Sequence, residues 1–106
     1  MARVSFGITV DGEKAGLSGW KCPREETCTL SVSFCPGKPG TVELSGIEGG
    51  SAYFVRGLVR DTLGRFAAER AVRVSAECPS GTPLAYEQVL LPLKRGLMAL
   101  KPHAKG

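Results

Sequence analysis

The sequence predicts an all-β fold, a small antiparallel sandwich or barrel of about six strands, on three observations. Apolar residues recur at every second position in several separate stretches. Those stretches are divided by clusters of glycine and proline; 14 glycines and 7 prolines make up about a fifth of the chain, against roughly an eighth in average proteins. A length of 106 residues suits one domain and is too short for two ordinary ones. Hydrophobic residues are 42% and charged residues 23% of the chain. No apolar run approaches the roughly 18 to 20 residues that a membrane-spanning helix needs.

The first strand is read at 4–10, where Val4, Phe6, Ile8 and Val10 alternate with Ser5, Gly7 and Thr9 and Asp11-Gly12 supplies a turn pair. Residues 12–26 lose all periodicity and read as a loop, with Trp20 plugging one end of the core. Alternation returns from Thr27: Cys28, Leu30, Val32 and Phe34 face one way, Thr27, Thr29, Ser31 and Ser33 the other, so one side is core and the other wet. Pro36 to Gly40 is a double turn signal. A short strand follows at 41–44 with Val42 and Leu44 inward, and Gly46 to Gly50 turns the chain again.

The segment 52–76 reads as a long hairpin. Tyr53, Val55 and Val59 alternate up to the turn Asp61-Thr62-Leu63-Gly64, and Phe66, Ala68, Val72 and Val74 alternate after it. Gly64 supplies the positive φ that such a turn needs. Phe54 and Leu58 are apolar on the opposite face of the first arm, which makes that strand central. After Cys78 to Pro83, residues 84–93 read either as a last strand or as a short C-terminal helix capped by Thr82, with Pro92 limiting either to about nine residues. Strand is the preferred reading, because it would cover an exposed sheet edge. The expected organisation is one β-rich domain over 1–93 and a basic tail over 94–106.

The formal net charge is +4, yet residues 1–93 hold ten Lys/Arg against ten Asp/Glu. The excess lies wholly in Lys94, Arg95, Lys101 and Lys105, beside the sole histidine, His103. Any electrostatic steering is therefore expected from the tail. No charged start leading into a 7 to 15 residue apolar stretch is visible, so no signal peptide is expected, and a cytoplasmic location is favoured slightly over a secreted mature form. Cys22, Cys28, Cys35 and Cys78 allow three disulfide connectivities or four reduced thiols, and the sequence leaves both states open.

Tyr53, Val55, Val59, Asp61, Gly64 and Ala67 fall at the spacing Y-x-V-x-x-x-V-x-D-x-x-G-x-x-A, which resembles the last hairpin of bacterial immunoglobulin-like and fibronectin-type-III-like sandwich domains. The resemblance covers about a quarter of the chain. It implies architecture and no activity, with the tyrosine fixing a corner of the sandwich. A fainter resemblance, carried by Val72-x-Val74 and by Gly81-x-Pro83-Leu84-Ala85-Tyr86-x-x-Val89-Leu90-Leu91 before basic residues, is to the closing strands of the globular domain of coronavirus leader proteins. That one implies a small host-directed factor that suppresses translation.

Catalytic chemistry finds little support. A nucleophilic triad needs a base beside Ser, Cys or Thr, and the one histidine is close to the chain end. Zinc sites want closely paired ligands, whereas the cysteines are separated by five, six and forty-two residues. No phosphate-binding glycine motif ahead of a helix is present. Neither a metal nor a cofactor is expected, and the chain is read as no enzyme. The candidate binding residues are the hairpin arginines Arg56, Arg60, Arg65 and Arg70, with Arg56 and Arg60 on one face, and the tail cations Lys94, Arg95, Lys101 and Lys105. Asp61, Glu69 and Glu77 are near enough in sequence to pair with the arginines, and structural ion pairing is the preferred reading of them. The expected function is a non-catalytic module that binds a macromolecule through the hairpin face and its loops, with a protein as the leading partner. The alternative is a small host-directed factor that reaches RNA, the ribosome or an acidic partner through the basic tail.

Overall fold

The structure, a computed structural model, describes residues 5–10, 13–19 and 27–101, and for Ser5 and 13–19 the backbone alone. It corrects the all-β expectation: the fold is α/β, a mixed open sheet with helices packed on one face. Five strands, β1 (Ser5–Val10), β2 (Glu13–Gly19), β3 (Thr27–Cys35), β4 (Val42–Ser45) and β5 (Ala71–Glu77), lie in the order β2-β1-β3-β5-β4. β1 runs parallel to β3 and β4 parallel to β5; the other two pairings are antiparallel. The helices are α1 (Ala52–Leu63), α2 (Arg65–Glu69) and α3 (Tyr86–Leu100).

β1, β3 and β4 stand where alternation places them. The expected loop over 12–26 instead contains β2, paired with β1 from Ser5 with Gly19 to Val10 with Glu13, the register slipping between Ile8 and Thr9. Its sequence, EKAGLSG, offers too few apolar residues to display a period. Trp20 and Cys22 lie outside the described residues.

The expected hairpin over 52–76 is a helix pair followed by a strand, so neither a sandwich nor an immunoglobulin-like hairpin is formed. Val55, Val59, Leu63 and Ala67, all buried, are spaced by four. That interval satisfies a period of two as well as the i, i+4 stripe of a helix. Tyr53, placed inward by the hairpin reading, is 80% exposed. Gly64 does take a positive φ, 59°, but as the break between α1 and α2. Only 71–77, the second half of the second arm, is a strand.

The region read as strand or short helix becomes a fifteen-residue helix that runs through Pro92. An internal proline costs about 3 kcal/mol through a lost hydrogen bond and a ring clash. Against this, Val89, Leu93, Leu97 and Leu100 are all fully buried on one stripe, and burying each such side chain is worth about 1.5 to 3 kcal/mol. At Gly96 the helix comes so close to the sheet that a Cβ would stand 3.2 Å from Val32 Cγ2 and 3.4 Å from Ile8 Cγ2. The expected boundary at residue 93 therefore falls inside a helix, and 94–100 contribute to the core. Lys105 lies outside the described residues.

One apolar core joins the layers. Phe6, Ile8, Leu30, Val32, Val72 and Val74 meet the buried stripes of α1 and α3. Thr29, Glu43, Arg73 and Glu77 on the opposite face of the sheet are exposed. The N-terminal ends of α1 and α3 are joined. Leu84 N–H donates to the Gly46 carbonyl and Glu48 N–H donates to the Leu84 carbonyl, each at 2.9 Å. The hydroxyl of Ser51, itself buried, accepts from Tyr86 N–H at 2.9 Å and so caps α3 from the neighbouring helix, while Gln88 Oε1 accepts from Ala85 N–H. Ser51→Ala is expected to cost about 1 kcal/mol, the usual worth of a capping oxygen, read as a lower urea midpoint with an unchanged slope. An unchanged midpoint would show that the Leu84 pairs hold this junction without the cap.

Candidate functional site

The outward surface of the helical layer carries the candidate site. Among the described residues four large apolar side chains are conspicuously exposed: Tyr53 at 80%, Phe54 at 55%, Leu91 at 60% and Met98 at 59%. Two belong to α1 and two to α3. Leu91 and Met98 are seven residues apart, two turns along one helical stripe, and the exposed Lys94 and Arg95 lie between them.

On α1 the exposed residues form an open groove of about 690 Å³. Its helical geometry follows from the burial of Val55, Val59 and Leu63, which turns Tyr53, Arg56 and Arg60 outward. Tyr53 and Phe54 meet edge to face, centroids 5.5 Å apart and planes at 86°; Phe54 and Tyr86 are also 5.5 Å apart, with planes tilted by 36°. Gly57 lies in the floor of the groove, where a Cβ would meet nothing within 4 Å. The polar side chains that line the groove are those of Tyr53, Arg56, Arg60, Asp61 and Tyr86.

The sequence-predicted arginines separate into two kinds. Arg56 and Arg60 line the groove and are exposed. Arg70 lies over the ring of Phe34, its guanidinium carbon 4.0 Å from the centroid, and Arg65 lies 5.9 Å from the centroid of Phe66. Such cation–π contacts are worth roughly 0.5 to 1 kcal/mol at exposed sites. Arg70 thus shields the rim of the core and does not line the groove. The expected pairing of these arginines with Asp61, Glu69 and Glu77 does not occur. Among the described residues one ion pair forms, between Arg73 and Glu43 across β5 and β4 at 3.3 Å. Both side chains are about half exposed, so the pair contributes little. Of the residues read as a tail, Lys94 and Arg95 are exposed on α3 and Lys101 stands at its end.

The cysteines resolve in part. Cys28 and Cys78 form a disulfide, with Cα atoms 4.3 Å apart, one step beyond the Thr29 and Glu77 pair of the antiparallel β3/β5 ladder. Cys35 is a free thiol at the end of β3. Burial pushes its pKa up, and the Glu43 carboxylate, whose Oε2 is 3.8 Å from Sγ, acts in the same direction against the opposing influence of Arg73. Its thiolate is therefore less populated at neutral pH than that of a free cysteine, the reverse of an activated nucleophile. No group of His, Cys, Asp and Glu among the described residues is arranged to hold a metal ion.

Sequence reasoning missed the aromatic trio and Gly57. The signal was present: with Val55 and Val59 taken as a helical stripe, positions 53, 54, 57 and 60 fall on the outer side of the same helix. No family model matches the chain, and neither a curated protein nor a solved structure matches it. Among the described residues no helix is long and apolar enough to cross a membrane.

Proposed function

We propose that the chain is a non-catalytic binding module that engages a macromolecular partner, a protein in the first instance, through the outward face of α1 and α3. The observation that carries this reading is that the exposed large apolar side chains among the described residues all lie on these two helices, beside Arg56, Arg60, Lys94 and Arg95. Contiguous apolar surface rimmed by polar groups marks interaction sites, and aromatic residues and arginine are the side chains most often carrying binding energy.

The test is affinity capture from a native extract with the intact chain and with a Tyr53→Ser/Phe54→Ser chain of verified thermal midpoint. Partner recovery is expected to fall at least tenfold in the double variant and to survive 0.5 M salt in the parent. Full recovery by the double variant would end this reading.

A second reading, an RNA- or ribosome-directed inhibitory factor, rests on the exposed cations Lys94, Arg95 and Lys101 along α3. It requires that binding weaken steeply with salt and be lost when the three are changed to glutamine. Truncation after Leu93 is unsuited to this purpose, because it removes the buried Leu97 and Leu100.

A further inference from the structure

We infer that the α1 groove receives an acidic peptide segment of a partner protein, one bulky apolar side chain of which sits over Gly57 while its carboxylates meet Arg56 and Arg60. The inference rests on the reading of this face as a binding surface and names what binds there.

In a helix the neighbours of position 57 are 53, 54, 60 and 61. Tyr53 and Phe54 therefore wall the position on one side, and Arg60 and Asp61 on the other, all of them in the groove lining. A mid-helix glycine is less stable than alanine, and here no packing requires it, because a Cβ would meet nothing within 4 Å. Gly57 thus leaves a notch one side chain deep between an aromatic wall and a charged one, Arg60 with Asp61. A bulky apolar group placed there gains ring contacts and leaves the helix undisturbed.

The charges on this face set the sign of the occupant. Arg56 and Arg60 are one turn apart and exposed, and neither forms an ion pair with another described residue. Guanidinium groups so placed present fixed donors to carboxylates. Asp61 also lines the groove, but across the outward face the four cations Arg56, Arg60, Lys94 and Arg95 outnumber the two carboxylates Asp61 and Glu87, so an acidic segment is favoured over a basic one. The ring geometry favours a side chain over nucleobases. A run of stacked bases needs ring faces presented in sequence, whereas Tyr53 and Phe54 stand edge to face at 86°.

The test selects random dodecapeptides displayed on phage against the intact chain and measures the enriched sequences by fluorescence anisotropy in 0.15 M salt. Enriched peptides are expected to carry several Asp or Glu and one Phe, Trp, Tyr or Leu. Their affinity should fall at least tenfold in Arg56→Glu/Arg60→Glu and in Gly57→Gln. Gly57→Gln fills the notch with a good helix former, so its thermal midpoint should be no lower than the parent's, which separates a blocked site from a damaged fold. Enriched peptides without acidic residues that still lose binding in Gly57→Gln would overturn the acidic assignment and leave the face as a binding surface. A face occupied instead by oligo(U), by phosphatidylserine vesicles or by a second copy of the chain in sedimentation would likewise overturn the acidic-peptide assignment alone, whereas no enrichment, or binding indifferent to Gly57→Gln and to the arginine changes, would overturn both.

Discussion

Replacing Cys28 and Cys78 together by alanine is expected to lower the free energy of unfolding by about 4 kcal/mol, the chain-entropy value for a bond closing a loop of roughly fifty residues. At the usual slopes this moves the urea midpoint down by roughly 1.5 to 4 M. The bond joins the two strands that tie the halves of the sheet together, β3 and β5, and the Cys28 side of it is wholly buried. Reductant should produce a comparable shift in the parent and none in the double variant. Equal midpoints for parent and variant, with and without reductant, would show that the bond does not form or does not constrain the unfolded chain.

Gly46→Ala is expected to be the most damaging single glycine replacement. Gly46 has φ of 75°, a region that costs an L-residue about 1 to 2 kcal/mol, and a Cβ there would overlap the carbonyl oxygen of Ala76. The backbone has no room to move aside, because the Gly46 carbonyl accepts from Leu84 N–H. A loss of at least about 2 kcal/mol should lower the thermal midpoint by roughly 10 °C in a domain of this size. Gly57→Ala makes the same chemical change in mid-helix with open space around it, and should gain about 0.5 to 1 kcal/mol. Opposite shifts from one substitution at two glycines are the expected calorimetric result. A neutral Gly46→Ala would contradict the close approach of β4's end to β5.

The extent to which sequence revealed this fold depends on how many residues decide each element. β3 was legible because the eight consecutive residues 27–34 alternate with no exception, and no helix would bury Cys28, Leu30, Val32 and Phe34 together. α1 was not, since its buried residues recur at intervals of four, an even number that a strand accepts equally. Tyr53, Phe54, Val55 and Val59 have high strand propensity, and tertiary packing overrides such preferences. The tie could have been broken at position 57: a strand that buries 55 and 59 also buries 57, where an apolar side chain is absent. Pro92 misled in the opposite direction, by punctuating a helix whose far half carries Leu97 and Leu100 into the core. Arg56 and Arg60 were rightly seen to share a face, because residues four apart do so in either conformation. Their company was missed, since Tyr53 turns outward only once the segment is helical.

The strand order has a consequence for synthesis of the chain. β3 and β4 follow one another in sequence but are not neighbours in the sheet; β5 lies between them. As residues emerge from the N-terminal end, β1, β2 and β3 can assemble, but β4 has no partner until Ala71 to Glu77 arrive. An interior strand, β5, is thus the last of the described strands to be made, and its insertion joins β4 to the edge of β3. Contacts distant in sequence make folding slow, and until β5 is in place the inner edge of β3 presents unpaired backbone groups open to association with other nascent chains.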